Sequence, residues 1–408
     1  MKKLCALILV LVFAFSLAAC TTSGGGNSPS ASTSASTSTS PSAASPSAEN
    51  SQPASTPSTS SGGTGGSGSS GGTVGYVTDD VDHWARDPYN FAFYTLAVSD
   101  MSALQLTAMR QAGDAYNFTV VDQYAGGDSD TYITNLQTLL LTKPDGLIID
   151  VAPEYQLRVA EIITESGIPT VAIMDSVRDA DGHTLLPNVV MDQTYNGGRQ
   201  VEFLAENYKN YWGDIDKSKI ALMIITWTVG VDLNQRGEGM RSKFEELFPG
   251  NPVYVGDTAT ESFSADGAYN LANATLSAHP EVEYWFITTV TESFSQGAAR
   301  VAETMMKEDC VLTTSSGSTT LPGEWDNGYD GIWIGNYAVS PYQYSLTGAF
   351  GLIAMCDGRA TPETLWEEYK RPGDISANYE VKADIMTRAN YKQYLGDIVR
   401  SFGLEYDD

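Results

Sequence analysis

Residues 167–175, GIPTVAIMD, carry the pattern that decides the fold. A run of apolar and β-branched residues starts after Gly167 and Pro169 and ends at the polar residue Asp175. A short apolar run bounded by turn residues predicts a strand that is buried on both faces. Upstream lie a segment of helical period, residues 155–166, and a second apolar run, GLIID at 146–150. Strand, helix and strand in this order predict a parallel α/β sheet.

The same alternation continues on both sides of this stretch. Toward the N-terminus we predict a strand at 91–94 and a helix at 102–116. Toward the C-terminus we predict strands at 219–226, 252–256 and 284–289, and helices at 236–248, 265–278, 295–306 and 344–356. This order fits either one closed (β/α)₈ barrel or two open, doubly wound domains. Because domains above about 250–300 residues tend to split, and residues 188–192 precede a long helix suited to a crossing, we predict two lobes.

The composition excludes several classes of function. The chain has 408 residues, 42% of them hydrophobic, and its 23 Lys and Arg against 50 Asp and Glu give a net charge of −27. Such a charge repels nucleic acids and anionic lipid head groups, and a polyphosphate substrate would need a local basic pocket. The histidines and cysteines have no metal-ligand spacing, and the sequence GEG at 237–239 lacks the third glycine of a dinucleotide loop. We therefore expect no metal and no cofactor, and free thiols at Cys310 and Cys356.

The N-terminus has the pattern of an export signal followed by a tether. Residues 1–20 comprise Lys2 and Lys3, an apolar stretch, and the tetrapeptide LAAC that ends at Cys20. The apolar stretch is shorter than the roughly 20 residues of a membrane-spanning helix. LAAC resembles a bacterial lipoprotein box, which implies acylation of Cys20; the alternative is an ordinary secretory signal. Residues 21–75 are almost entirely Ser, Thr, Gly, Pro and Ala, so we expect a flexible linker before a body that begins at Tyr76.

Four motifs together suggest a family: PDGLII at 144–149, GIPTVAIMD at 167–175, RGEGM at 236–240 and HPEV at 279–282. They resemble the type I periplasmic sugar-binding proteins of ABC transporters, which include the ribose-, galactose- and arabinose-binding proteins. Residues 279–287 and 386–391 are most similar to the arabinose-binding branch. The resemblance implies two doubly wound lobes joined by three hinge crossings. It implies an N-terminal lobe of residues 76–191 with about 338–375, and a C-terminal lobe of 192–337 with about 376–408.

The function implied by this resemblance is capture of a sugar of monosaccharide size outside the cell. A lipid-anchored monomer would enclose the sugar between its lobes and deliver it to an ABC permease in the cytoplasmic membrane, without enzymatic activity. Two alternatives stay open. The same fold could serve a sugar or nucleoside sensor that feeds a membrane kinase. A secreted barrel glycosidase could instead use Asp150, Asp175 and Glu292, because barrel catalytic acids sit at the carboxyl ends of strands.

Three charged residues are the first candidates for sugar binding. Sugar hydroxyls pair donor with acceptor, so planar carboxylates and guanidinium groups that form two hydrogen bonds at once suit them. By the family pattern Asp175 takes two adjacent hydroxyls; the alternative is a helix cap or turn. Arg236 opens a predicted helix, where its charge is unfavourable unless compensated. A sugar hydroxyl and Asp232 would compensate it, and both residues match sugar ligands of the galactose branch; the alternative is a surface ion pair.

The remaining candidates are two aromatic residues, a residue before the long helix, and polar residues at positions compared with the arabinose-binding branch. Trp227 and Tyr94 could each stack on a sugar ring, or lie in the core. Asp192 is either a hinge residue or a ligand. At positions where the arabinose branch carries lysine, amides or an aspartate, this chain has Thr95, Thr291 with Glu292, and Ser316 with Thr319, which implies a larger or wetter pocket or a different sugar. Asn336 completes the predicted set.

Overall fold

The structure is a computed structural model, and it describes residues 81–406 apart from residues 97, 126–128 and 152. The predicted signal segment with Cys20 and the predicted linker at 21–75 lie outside the described residues. Within the described part, no helix combines the length and the apolar character that a membrane span requires.

Strands and helices alternate along the chain, as predicted. The strands are β1 (Tyr89–Thr95), β2 (Phe118–Tyr124), β3 (Gly146–Ile149), β4 (Thr170–Ile173), β5 (Asn188–Val190), β6 (Ile220–Thr226), β7 (Val253–Asp257), β8 (Tyr284–Thr289), β9 (Val311–Ser316), β10 (Trp333–Tyr337), β11 (Asn378–Glu380) and β12 (Ile385–Met386). The α-helices are α1 (Asp100–Tyr116), α2 (Ser129–Leu140), α3 (Gln156–Ser166), α4 (Gln193–Trp212), α5 (Val231–Leu247), α6 (Ala265–Ala278), α7 (Glu292–Thr304), α8 (Thr320–Asp326), α9 (Pro341–Cys356) and α10 (Tyr391–Ser401).

The strands form two sheets, each at the centre of one lobe. The first sheet has the order β11-β5-β4-β3-β1-β2 and is parallel throughout. The second has the order β12-β10-β9-β8-β6-β7 and is parallel except for the antiparallel pair β10–β12. Residues 81–190 and 341–381 surround the first sheet and form the first lobe; residues 193–337 surround the second and form the second lobe. The prediction of two doubly wound lobes is confirmed, and the closed barrel is excluded.

Three chain segments join the lobes. They are residues 191–192 between β5 and α4, residues 338–340 between β10 and α9, and residues 382–384 between β11 and β12. The third crossing lies later than the predicted boundary at 375/376. The reason is that β11 adds to the edge of the first sheet, with Asn378 opposite Asn188. Ala377 and Val381, on either side of this strand, are buried in the core of the first lobe.

The C-terminal helix α10 contacts both lobes. The prediction that residues 376–408 belong to the second lobe alone is therefore wrong. At its start, the Tyr391 hydroxyl donates to Asp326 Oδ1 at 2.6 Å in the second lobe. At its end, Val399 and Phe402 are buried in the core of the first lobe. The Tyr116 hydroxyl there donates to the Phe402 carbonyl oxygen at 2.8 Å. The helix therefore spans from one lobe to the other.

Close packing of α4 against α5 fixes the helix that bears two of the candidate ligands. A Cβ at Gly197 would collide with the Arg236 carbonyl oxygen, and one at Gly239 would collide with the Thr194 carbonyl oxygen. Gly239, the second glycine of the RGEGM motif, thus serves helix packing, since only glycine lets the two backbones approach this closely. Cys310 packs in the second lobe and Cys356 in the first, and both are free thiols, as predicted.

Candidate ligand site between the two lobes

A cavity of about 490 Å³ lies where the carboxyl ends of strands from the two sheets face each other. Its walls come from both lobes: Gln156, Asp175, Ser176, Arg178 and Arg371 from the first, and Val231, Asp232 and Gln235 from the second. The volume falls within the range of about 300–1,000 Å³ that holds small molecules in proteins. Open α/β sheets bind ligands at this edge, so the cavity has the position expected of a site.

Asp175 reaches the cavity through a strained turn. Strand β4 ends at Ile173, and Met174 then adopts a φ of 72°, in the left-handed region that residues other than glycine seldom occupy. The Asp175 amide donates to the Ile173 carbonyl oxygen at 2.9 Å, which closes the turn. Backbone strain of this kind concentrates at functional sites. The turn directs the chain out of the sheet and brings Asp175 to the cavity wall, as the sequence predicts.

Asp232 of the second lobe faces Asp175 of the first across the cavity. Asp232 lies in the first turn of α5, and its carboxyl group is close enough to that of Asp175 to raise the pKa of Asp175. Burial raises the pKa of Asp175 well above its usual range, and the nearby carboxyl groups of Asp232 and Asp150 raise it further. Burial also raises the pKa of Asp150 to about 6. The ionised forms of Asp175 and Asp150 are therefore disfavoured in this arrangement, and hydroxyl groups of a ligand that donate to them would relieve that cost.

The raised pKa values of Asp175 and Asp150 predict that acid pH favours the closed form of the ligand-free protein, by which we mean the arrangement described here, with the two lobes facing each other across the cavity. A carboxyl group whose pKa is raised in the closed form stabilises that form at low pH, and the stabilisation disappears as pH rises from the ordinary value of 3.8 through the raised one. We expect the radius of gyration, measured by small-angle X-ray scattering without sugar, to increase between about pH 4 and pH 7. The Asp175→Asn variant should lose most of this change. An equal change in the variant would mean that other groups control opening.

Arg236 lies behind the cavity wall rather than on it. Its side chain is buried; Nε and Nη2 donate to Gln193 Oε1 at 3.0 and 2.6 Å, and Nη1 donates to the Val290 carbonyl oxygen. Burial lowers its pKa, while Tyr344, Asp232 and Asp175 act in the opposite direction. The argument that Arg236 opens a helix is wrong, because α5 begins at Val231. Its charge is instead compensated by Asp232 and Asp175, the two carboxyl groups of the cavity.

Two arginines of the cavity wall, Arg178 and Arg371, were not among the predicted residues. Arg178 lies in an irregular loop after β4, and Arg371 lies in the long loop between α9 and β11. Neither residue lies at the end of a predicted strand or in one of the four motifs, so no local sequence pattern marks either as a candidate ligand. Gln156 at the start of α3 and Gln235 in α5 were missed for the same reason. The signal that could have found Arg178 is its closeness to Asp175 in the sequence.

Glu292, predicted as a ligand, is instead the centre of a buried network in the second lobe. Its Oε2 accepts from the Thr319 amide at 3.0 Å, the Thr319 hydroxyl at 2.8 Å and the Thr320 amide at 3.0 Å. Its Oε1 accepts from the Leu321 amide at 3.0 Å and from Asn336 Nδ2 at 2.7 Å. The carboxylate thus caps the first turn of α8, and its acceptor positions are taken up by the protein.

Three further predicted ligands belong to this network or its surroundings and do not line the cavity. Asn336 is fully buried, and its Oδ1 accepts from Trp333 Nε1 at 2.7 Å. The Ser316 hydroxyl donates to Asn196 Oδ1 at 2.6 Å, which ties β9 to α4. Thr291 precedes α7, and its hydroxyl contacts the Ser293 hydroxyl at 3.1 Å. Thr291 follows β8, whereas Ser316 ends β9 and Asn336 lies inside β10, and the polar groups of all three bond to the second lobe itself.

The aromatic candidates and two others are also placed away from the cavity. Tyr94 lies inside β1, is fully buried, and donates its hydroxyl to the Tyr132 carbonyl oxygen at 2.6 Å, so it is a core residue. Thr95, at the end of β1, is buried as well. Trp227 packs edge-on against Phe263, with ring centres 5.1 Å apart. Asp192 caps α4 by accepting from the Tyr195 amide at 2.8 Å, which favours the hinge interpretation.

The described residues also form a larger groove on the outside of the first lobe. It has a volume of about 750 Å³ and lies between α3 and the loop that precedes β11. Its floor is mostly apolar and includes Leu157, Ile163 and Ile375. Polar groups from the two lobes do not converge there, so the smaller cavity is the better candidate for a ligand site.

Comparison with known proteins agrees with this arrangement. The sequence profile of the family described as periplasmic binding protein domain matches residues 99–335. The L-arabinose-binding periplasmic protein of Escherichia coli strain K12 is 27% identical over 198 residues, which are 47% of this chain and 58% of that protein. The match therefore spans little more than half of the relative's length.

Solved structures with the same architecture include several sugar-binding components of transporters. The binding protein of the arabinose ABC transporter from Shewanella sp. ANA-3 has a TM-score of 0.59 at 14% identity and covers 78% of this chain and 100% of that chain. A solute-binding protein from Actinobacillus succinogenes 130z with bound D-allose has a TM-score of 0.59 at 15% identity over 76% of this chain and 100% of that chain. An arabinose-binding protein from Geobacillus stearothermophilus has a TM-score of 0.59 at 17% identity and covers 76% of this chain and 99% of that chain. At these identities the likeness shows the fold alone.

Proposed function

Because the chain belongs to the periplasmic binding protein family, we propose that it captures a sugar of monosaccharide size in the cavity between its lobes and delivers it to an ABC importer. The observation that carries this proposal is the pair of carboxyl groups, Asp175 from one lobe and Asp232 from the other, that face each other across the cavity. A ligand bound by both groups stabilises the closed arrangement, since it contacts the two lobes at once.

The chemistry of the wall supports a ligand rich in hydroxyl groups. Carboxyl groups accept hydrogen bonds from hydroxyls, guanidinium groups donate to them, and the amides of Gln156 and Gln235 do both. Ser176 adds a hydroxyl. A polyol can satisfy such a mixed set, whereas an apolar ligand would leave buried polar groups unpaired at a cost of about 1–3 kcal/mol each. The relatives named above as arabinose-binding proteins, and the one with D-allose, agree with this chemistry.

Anchoring is the second part of the proposal and rests on the sequence. Acylation of Cys20 would hold the protein on the outer face of the cytoplasmic membrane, and residues 21–75 would form the tether. A flexible chain of this length has a root-mean-square reach of about 40 Å. The folded body, a monomer in this proposal, could then bind sugar above the membrane and meet the permease at its surface.

Of the two alternative functions, the fold argues against the barrel glycosidase and is compatible with the sensor. A barrel glycosidase needs a closed barrel with its acids around one ring, whereas the chain has two open sheets and uses Glu292 to cap α8. A sensor would use the same ligand site, so it changes the partner and leaves the binding chemistry as proposed.

A ligand screen tests the proposal. We expect the full-length protein to be stabilised in thermal unfolding by one or a few sugars among pentoses, hexoses, disaccharides and nucleosides, and isothermal titration calorimetry to give one site per chain. At 100 times the dissociation constant the stabilisation is about 2.7 kcal/mol, which shifts the melting temperature by a few degrees. The Asp232→Asn variant should bind about tenfold or more weakly.

The matched control is Asp266→Asn, because Asp266 occupies the first turn of α6 as Asp232 occupies that of α5, but is exposed. This control should bind like the unaltered protein. The absence of binding across the whole panel, or equal weakening in the two variants, would refute the proposed function.

A further inference from the structure

Two arginines stand side by side on the first-lobe wall of the cavity. The side-chain oxygen of Asn378, assigned as the oxygen because guanidinium groups only donate, lies 2.9 Å from Arg178 Nη2 and 3.1 Å from Arg371 Nη2. Arg178 Nη1 also donates to the Gly182 carbonyl oxygen at 3.0 Å. The two guanidinium groups thus share one neutral acceptor, and both line the cavity.

The surrounding protein compensates this pair only in part. Arg371 has Asp374 near its Nε at 3.7 Å, but the Asp374 carboxylate also accepts from the Thr184 amide and the Arg371 amide. Within the described part of the chain, no ion pair is found for Arg178 at 4.0 Å or less, and its recorded side-chain partners are neutral oxygens. Burial lowers the pKa of Arg178 and the charge of Arg371 lowers it further, while the charges of Asp374 and Asp232 act in the opposite direction. Two like charges at a cavity wall create a strong preference for an anion.

The two carboxyl groups of the cavity do not remove this preference. Asp232 attracts Arg178 across the cavity, but it belongs to the other lobe and also acts on the nearby Asp175. Asp175, whose pKa burial raises well above its usual range, contributes less negative charge than an exposed aspartate. Arg236 lies behind the wall, where Asp232 and Asp175 compensate its charge. With two arginines and two carboxyl groups, the cavity wall is close to neutral in a chain whose net charge is −27.

We propose that the cavity takes a monosaccharide that carries one carboxylate, such as a hexuronate, with the carboxylate against Arg178 and Arg371 and the hydroxyl groups on Asp175 and Asp232. This inference rests on the proposed function and narrows its ligand class. Guanidinium groups bind carboxylates through pairs of parallel hydrogen bonds, and two neighbouring arginines can hold both oxygens of one carboxylate.

A phosphate group could in principle use the same arginines. A phosphorylated sugar would, however, bring close to two negative charges toward Asp232 and Asp175. The carboxylate brings one, which the arginine pair can balance. The test therefore includes a sugar phosphate as a separate ligand.

The first test needs no variant. Calorimetry on the full-length protein would compare D-galacturonate and D-glucuronate with D-galactose, D-glucose and D-glucose 6-phosphate. We expect at least one uronate to bind about tenfold or more tightly than its neutral parent, since charge-assisted hydrogen bonds are about twice as strong as neutral ones. Tighter binding of a neutral hexose would overturn the inference and leave the proposed function intact. Binding of the sugar phosphate in preference to the uronates would overturn the carboxylate assignment. The absence of measurable binding to every sugar tested would refute the proposed function itself.

The second test removes one arginine. We expect Arg371→Gln to weaken uronate binding about tenfold to a hundredfold, and to change the affinity for the neutral parent much less. The control is Arg388→Gln, because Arg388 pairs with Asp330 on the surface of the second lobe, away from the cavity. Thermal unfolding of both variants would show that they fold. Equal loss of affinity for the acid and the neutral sugar would overturn the assignment of the carboxylate to this pair.

Discussion

Replacing Glu292 by alanine is expected to lower the free energy of unfolding by about 3–5 kcal/mol, because the change opens a buried network and leaves several donors without an acceptor. The carboxylate accepts from three backbone amides at the start of α8, from the Thr319 hydroxyl and from Asn336. Asn336 Oδ1 in turn accepts hydrogen bonds from Trp333 Nε1 and from the Ser315 hydroxyl. Urea denaturation followed by tryptophan fluorescence would measure the loss.

The same variant decides between the two roles considered for Glu292. Since its carboxylate does not line the cavity, sugar affinity under conditions where the variant is folded should stay close to that of the unaltered protein. The control is Glu283→Ala, which removes an exposed ion pair with Lys219 and should leave stability essentially unchanged. A large loss of affinity with little loss of stability would reinstate Glu292 as a ligand.

Replacing Arg236 by alanine is expected to reduce both stability and sugar affinity. The unfolding free energy should fall by about 2–4 kcal/mol, because the Gln193 side chain and the Val290 carbonyl oxygen lose their donor in a buried environment. Affinity should fall by about 2–3 kcal/mol, since Asp175 and Asp232 lose the positive charge that compensates them in the closed form. Denaturation and calorimetry on the same preparation would separate the two effects.

A surface arginine of the same helix provides the comparison for Arg236. Arg241 lies in α5, is partly exposed and forms an ion pair with Glu245 at 3.8 Å. The Arg241→Ala variant should match the unaltered protein in both measurements. Full affinity in Arg236→Ala would mean that ligand binding by Asp175 and Asp232 does not depend on the charge of Arg236.

The elements that sequence reasoning predicted well are those with strong local patterns. GIPTVAIMD forms a buried strand, and the predicted bounds of α6 and β8 are those observed. Asp175 reaches the cavity because the chain leaves the sheet directly after this strand. Tyr94 was misplaced because a strand of a parallel sheet is buried on both faces, so burial along β1 says nothing about which residues face a ligand. Glu292 and Asn336 were misplaced because a polar residue in or just after a strand bonds to its own lobe as readily as to a ligand.

The sequence by itself determined the alternation of strands and helices, the family, and the carboxyl ends of the strands as the edge where a ligand site is expected. Only the tertiary structure decided which polar groups meet there. Arg371 reaches the cavity because β11, far along the chain, adds to the edge of the first sheet beside β5. Asp232 reaches it because α4 and α5 pack closely through Gly197 and Gly239. Periodicity records the environment of a segment over a few turns, whereas a site between two lobes depends on contacts between segments that are distant in sequence.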